Sequence, residues 1–238
     1  MKIAQLYPFL FVAILFIQPI TGHSQTFKVF KGDTINRTDA KGLKQGVWKK
    51  YYENDQLFSS TFYKDGKASG TTTTFYRSGE KQSEMLHQKD GKTSNMTIFW
   101  PNGKKKAVGK YIDQKKDSTW KFYSELDSLT AIENYKSGKP HGAWTVYYSN
   151  GKLSEETNWM DGVKNGISTY YFSNGTIKTK SVFRNGSLEG LYSINHPNGK
   201  PYISGGYSKG LMQGLWKYNA ENSWILSSAV VKDNTVYV

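Results

Sequence analysis

The stretch GAWTVYYSNGKLSEETNWMDGVKN, residues 142–165, carries the pattern that decides the fold. Ala143 to Tyr148 reads as a strand, with Trp144, Val146 and Tyr148 on one face by the two-residue period. Ser149-Asn150-Gly151 is a turn, since Asn-Gly between strand-like runs is a hairpin signal. Lys152 to Trp159 is the return strand, Met160-Asp161-Gly162 opens the next turn, and the chain starts again at Gly166. Each such stretch is a β-hairpin, joined to the next by a short glycine-containing loop.

Working outward, the same stretch recurs with a period of 24 residues. Its first position, offset zero, falls on Gly46, Gly70, Ser94, Ser118, Gly142, Gly166, Gly190 and Gly214. Offset nine gives Asp55, Gly79, Gly103, Asp127, Gly151, Gly175, Gly199 and Ser223. Offset twenty gives Gly66, Asp90, Gln114, Gly138, Gly162, Gly186, Gly210 and Asn234. Glycine fills five of the eight places at offsets nine and twenty, with Asp, Asn or Ser in most of the others. Those residues tolerate turns and positive φ. Eight copies in one register predict an all-β repeat protein: an elongated, twisted antiparallel meander of consecutive hairpins. Sixteen strands at ~4.8 Å each give a length on the order of 75 Å before twist.

Large side chains hold fixed offsets. Offset two carries Trp48, Thr72, Met96, Trp120, Trp144, Ser168, Tyr192 and Trp216; offset seventeen carries Tyr63, His87, Tyr111, Tyr135, Trp159, Phe183, Tyr207 and Val231. Offsets four and six are also rich in large residues, and all of these are expected to stack with their copies in adjacent hairpins. Offset five adds Tyr51, Phe75, Phe99, Tyr123, Tyr147 and Tyr171, then Asn195 and Asn219. Neighbouring offsets five and six point to opposite faces of a regular strand, so either both faces carry aromatics or a bulge turns one of them. Phe27 to Gln45, with Lys41-Gly42 in the phase of the second turn, reads as a degenerate half-repeat capping the array within residues 25–45. The repeat domain is 46–238, and Val236-Tyr237-Val238 forms a terminal edge segment.

The quoted pattern, G-x-W-x-x-Y-Y-x-x-G-x-L followed by an aromatic and D-G, resembles the variant MORN repeat. The likeness is clearest in GVWKKYYENDQL, GAWTVYYSNGKL and DGVKNG, and extends from Gly46 to about Tyr237. It is similar to the bacterial YwqK-type arrays, many of which carry an antitoxin label. The resemblance implies an elongated sheet of hairpins and an association with phospholipid binding, membrane tethering or protein assembly. Repeats three, four and eight depart from the pattern at Ser94, Ser118, Asp127, Gln114, Ser223 and Asn234, which implies units that bend differently or act as caps.

Residues 1–24 read as a secretory signal peptide: Lys2, then the apolar run Phe9 to Ile17, then Pro19, with Gly22 and Ser24 before a cleavage site at Gln25. A run of this length is too short to span a bilayer, though an uncleaved anchor remains the alternative. The expected location is periplasmic or extracellular, and an export signal does not suit a cytosolic antitoxin. The sequence has no cysteine, so neither a disulfide framework nor thiolate chemistry is available.

The formal charge is +13, from 32 Lys and Arg against 19 Asp and Glu. Lys104, Lys105, Lys106, Lys110, Lys115 and Lys116 crowd one repeat. Lysine at strand edges and turns keeps a sheet soluble; the same lysines also attract an anionic surface. Of the four histidines, His87 and His196 stand in aromatic columns and read as packed substitutes, while His141 beside Gly142 is expected to be exposed. Carboxylates such as Glu133, Glu155, Glu156 and Asp161 are dispersed. No catalytic, metal-ligating or cofactor set emerges, so the expectation is a non-enzyme without cofactors. Two classes remain: a binding module for a protein or an anionic lipid or glycan surface, and a structural scaffold whose ends meet other copies. Peripheral membrane contact falls within the first class, nucleic acid fits it less well, and the oligomeric state is left open. The candidate binding surface is Lys104, Lys105 and Lys106 with Tyr51, Tyr123, Tyr147 and Tyr171.

Overall fold

The computed structural model describes residues 24–30, 32–222 and 225–237. The signal-peptide reading therefore lies outside the described residues except at Ser24, as do Ser223 and Val238. The described chain forms one open antiparallel sheet of twenty strands, each paired with its neighbours in sequence except that Lys139–Pro140 and Gly142–Tyr147 both pair with Leu129–Lys136. The sixteen expected strands are all present. A hairpin before them, the short strand Thr235–Tyr237 after them, and a break at His141 account for the excess. The N-terminal segment forms a hairpin, Thr26–Phe30 with Asp33–Thr38. It is clasped to the first repeat by the Asn36 carboxamide, which accepts from Lys49 N at 2.8 Å and donates to Lys49 O at 3.1 Å.

Two kinds of bulge interrupt the ladders, and the second explains the glycine column at offset zero. Within every hairpin the register shifts between offsets four and five, for example at Val146/Tyr147. The extra residue lies on the return strand at offset twelve, so Tyr147 keeps its place opposite Leu153. Between hairpins a second bulge contains the offset-zero residue, which needs a left-handed φ such as the +85° of Gly142. Ser118, Gln114, Asp127 and Asn234 hold the glycine's conformation despite their side chains, with φ between 57° and 69°. Ser94 does not, because Lys81–His87 pairs with Thr93–Phe99 without a bulge. There a longer loop, closed by Gln88 N to Thr93 O at 2.9 Å, restores the period. Of the departing repeats, the third is the one with altered pairing.

Both rims of the sheet are laced from unit to unit. At offset six, Tyr52 donates to Phe75 O (2.8 Å), Tyr76 to Phe99 O (2.7 Å) and Tyr148 to Tyr171 O (2.6 Å). The Trp100 indole reaches Tyr123 O in the same way, and each donor lies 23 residues before its acceptor. Asn102, Asn150, Asn174 and Asn198 repeat the bond one step further round the turn. On the opposite rim Gly138 N, Gly162 N, Gly186 N and Gly210 N bond carbonyls 22 residues earlier. Offset six thus works as a rim clamp more than as a stacking position. Tyr148→Phe is expected to cost about 1 kcal/mol, the net worth of one hydrogen bond, read from the shift in urea midpoint at constant slope.

The packed interior lies on one face of the sheet, at offsets two, four and seventeen. Trp120 is 1 % exposed and Trp216 is 2 % exposed. Each indole lies flat on a backbone with no side chain in the way: a Cβ on Gly109 or Gly205 would sit 2.1 Å from the ring. Tyr111 packs edge-on to Trp120 at 5.1 Å, and Tyr207 meets Trp216 at 5.3 Å. Lys116 covers this layer, its ammonium 4.5 Å from the Trp120 ring centroid and 4.8 Å from that of Tyr135. Lys164 does the same over Trp159 and Phe183. Both lysines are half-buried against this aromatic surface, and the Lys164 ammonium donates to the Tyr170 hydroxyl at 2.9 Å. Where the column lapses to Ser168, its hydroxyl is buried 2.7 Å from Thr157 Oγ1.

Candidate functional site

The six lysines that crowd one repeat in sequence part company in space. Lys104 closes a rim turn, its N–H bonded to the Asn102 carboxamide oxygen at 3.0 Å. Lys105 opens the strand Lys105–Ile112 opposite Phe99, and Lys106 lies over the Trp100 ring at 4.1 Å. All three are exposed. Lys115 packs under Gly138 on the other rim, and Lys116 belongs to the aromatic face. The ion pairs among the described residues are Lys49–Asp33, Lys81–Glu84 and His141–Asp161, so none of the six is neutralised by one.

Tyr51, Tyr123, Tyr147 and Tyr171 fall in a row on the face away from the tryptophans, all half-buried. Both faces of the sheet therefore carry aromatics; the bulge sits on the facing strand and does not turn them. Thr145 Oγ1 donates to the Tyr147 hydroxyl at 3.4 Å, and Tyr51 stacks on Phe30 at 4.1 Å. Tyr171 donates to Glu156 at 2.6 Å, and this bond, with burial, pushes its phenol up to about 12. The row is thus partly engaged within the fold.

His87 is half-buried, held by the Thr72 hydroxyl at Nε2 (2.9 Å) and the Ser94 hydroxyl at Nδ1 (3.0 Å). His196 acts as a rim clamp to Asn219 O at 3.1 Å. His141, expected exposed, is half-buried with Nδ1 3.4 Å from Asp161. Among the described residues no three His, Asp or Glu side chains converge as a metal would need. Burial lowers the His87 pKa below its ordinary 6.5, so the folded state prefers neutral imidazole. Its contribution is full above that ordinary value and is lost as pH falls below it towards the folded value, because the unfolded chain then binds the proton more readily. Stability measured by urea unfolding is expected to drop as pH falls below the ordinary value of 6.5, and His87→Gln to flatten that part of the profile.

One further site was missed by reading columns two, four, five, six and seventeen. On the face away from the tryptophans, a groove of about 700 Å³ crosses the strands Ile177–Arg184, Ser187–Asn195, Pro201–Ser208 and Leu211–Asn219. One row along it is apolar: Ile167, paired with Val182; then Leu191, paired with Gly206; then Leu215, paired with Val230. The adjoining row is polar: Thr169–Lys180–Ser193–Ser204–Lys217, each opposite the next. Leu191 is 80 % exposed and Leu215 is 52 % exposed. The cause is legible at offset sixteen, which holds Phe62, Leu86, Lys110, Asn134, Asn158 and Val182, then Gly206, then Val230. A missing side chain in that column opens the hollow. A second recess of about 560 Å³ lies beside Met85, His87 and Tyr111, where the tryptophan column lapses to Thr72 and Met96.

Geometry alone defines the class: a single-sheet array of hairpins whose units contact their neighbours and share one aromatic interior. Within it, residues 44–65, 140–161 and 164–185 match the family model described as the MORN repeat variant. Those three segments are similar to variant MORN repeats, a likeness that suggests a repeat module binding proteins or membranes. The match identifies the repeat and not the YwqK-type group. No curated protein matches the chain. Among solved structures it is similar to "Crystal Structure of TarM", at 15 % identity over 50 % of this chain and 20 % of that one, with a TM-score of 0.21. It is also similar to "Crystal Structure of TcdB2-TccC3-Cdc42", at 11 % identity over 84 % of this chain and 14 % of that one, with a TM-score of 0.23. At these scores neither bears on fold or function.

Proposed function

We propose that this chain is a non-catalytic, exported binding module that docks a protein partner on the sheet face away from its tryptophans. The observation that carries the reading is the division of labour between faces. The large aromatics of one face are consumed by inter-unit packing, while the other exposes Ile167, Leu191, Leu215 and Val230 as one apolar row. An exposed apolar row that the fold does not use fits an interaction surface. The apolar run Phe9 to Ile17 supports export to the periplasm or beyond. Lys104, Lys105 and Lys106 favour a second contact, with an anionic envelope lipid or glycan, because they are exposed and without ion-pair partners.

The test is capture from envelope extracts by the purified chain at low and high salt, with bound proteins, lipids and glycans identified by mass spectrometry. A saturable protein that survives high salt and is lost in Leu191→Ser/Leu215→Ser supports the reading. Exchanging Lys104, Lys105 and Lys106 for Gln is expected to remove salt-sensitive capture of acidic polymer without touching that protein. Capture unaffected by any of these substitutions would overturn both assignments.

A further inference from the structure

We infer that the groove at Gly206 accepts an acidic, apolar segment of a protein partner, with one branched or aromatic side chain seated over Gly206 and carboxylates facing Lys180 and Lys217. This rests on the reading of the array as a protein-binding module and names the chemistry of what it binds.

The array supplies its own template for the seat. In other units the same offset carries Phe62, Leu86, Val182 or Val230, whose side chains occupy this place on the sheet. At Gly206 that volume is vacant, and the flanking Leu191 and Leu215 stand clear of the sheet as walls. A hollow of about 700 Å³ falls within the range of sites that enclose a compact ligand group. Elsewhere in this column Asn134 and Asn158 donate to the carbonyls of Ala143 and Ile167. Gly206 has no side chain with which to make that bond, so the floor of the groove there is bare backbone.

Charge selects among occupants. The charged groups lining the groove are Lys180 and Lys217, and no carboxylate lines it. Glu156, on the far side of Thr169 in the same polar row, is engaged by the Tyr171 hydroxyl. Two uncompensated ammonium groups beside an apolar seat favour carboxylates next to an apolar side chain. A second copy of this chain is disfavoured by its own +13 charge. A bilayer surface is disfavoured because the seat is a recess, which a protruding side chain reaches and a planar surface does not.

The test is selection of short random peptides displayed on phage against the purified chain, followed by affinity measurement on the synthesised winners. Enriched peptides are expected to place Asp or Glu beside Leu, Ile, Phe or Trp. Leu191→Ser/Leu215→Ser, at exposed positions, is expected to weaken binding by at least about tenfold while leaving the circular dichroism spectrum unchanged. Gly206→Val fills the seat as Val182 does; its Cβ would meet Gln213 O at 3.3 Å, so its thermal unfolding is checked alongside. Lys180→Glu/Lys217→Glu is expected to reverse the preference towards basic peptides. Enrichment of peptides without acidic residues, or binding indifferent to the groove substitutions, would overturn the inference while leaving a binding module elsewhere on the array. No enriched peptide, with groove-dependent capture by phosphatidylglycerol vesicles, would overturn it in favour of a membrane. Absence of binding in every arm would overturn the module reading as well.

Discussion

Trp120→Ala is expected to destabilise the array by about 3–5 kcal/mol, the range for emptying a fully buried large aromatic site. Two features place it there. The side chain is almost wholly removed from water, and Gly109 beneath it has no atoms with which to refill the space. Its indole N–H also donates to Lys110 O at 3.1 Å, so alanine leaves that carbonyl without its donor. Because each unit meets only its neighbours, the damage is expected to concentrate in the strands Lys105–Ile112, Lys115–Tyr123 and Leu129–Lys136. Hydrogen exchange resolved by segment distinguishes this from a uniform loss. Protection unchanged around Trp120 would show that the indole is not a structural keystone.

Gly109→Ala is the mirror experiment and is expected to cost about 1–3 kcal/mol by overpacking. The added methyl would fall 2.1 to 2.5 Å from three atoms of the Trp120 ring, and a fully buried ring packed against Tyr111 and Phe122 cannot swing aside as a flexible side chain would. The φ at Gly109 is not in the left-handed region, so the cost is steric and not conformational. That difference gives a clean control. In the double variant Gly109→Ala/Trp120→Ala the methyl meets no ring, so the two penalties are expected to fall well short of additive. Additive losses, measured by chemical denaturation, would mean that the glycine serves the backbone and not the indole. The same test at Gly205 and Trp216 is independent, because these lie four units away in the array.

The fold was open to reading because the turns announce themselves. Asp161-Gly162, with φ of 50° and 97°, is the two-residue turn its sequence promises, and it recurs in phase along the chain. The tryptophan column at offset two was equally legible, since only a packed position explains Trp48, Trp120, Trp144 and Trp216 at one spacing. The rim clamps were less so. Tyr148 reads as another large residue on a strand, and nothing in its neighbours says that its hydroxyl reaches a carbonyl 23 residues later. Residues Gln88–Thr93 show the limit from another side: the loop lengthens and the bulge vanishes together, and the sequence period hides both changes. The groove escaped notice because its signal is an absence, Gly206, in a column whose other members are not uniformly aromatic. Of the candidate surface, the three lysines do cluster at one rim. The four tyrosines form a separate row, tied in part to Phe30 and Glu156.

The rim bonds have a consequence for how such a chain changes its length over generations. Donor and acceptor sit almost one period apart, so an in-frame duplication or loss of 24 residues carries a matched pair with it and leaves each remaining donor facing a carbonyl. A gain of any other size leaves a tyrosine or asparagine at the seam with nothing to grip. Size in this architecture is therefore inherited as a whole number, and recombination between misaligned copies is the cheapest way to alter it.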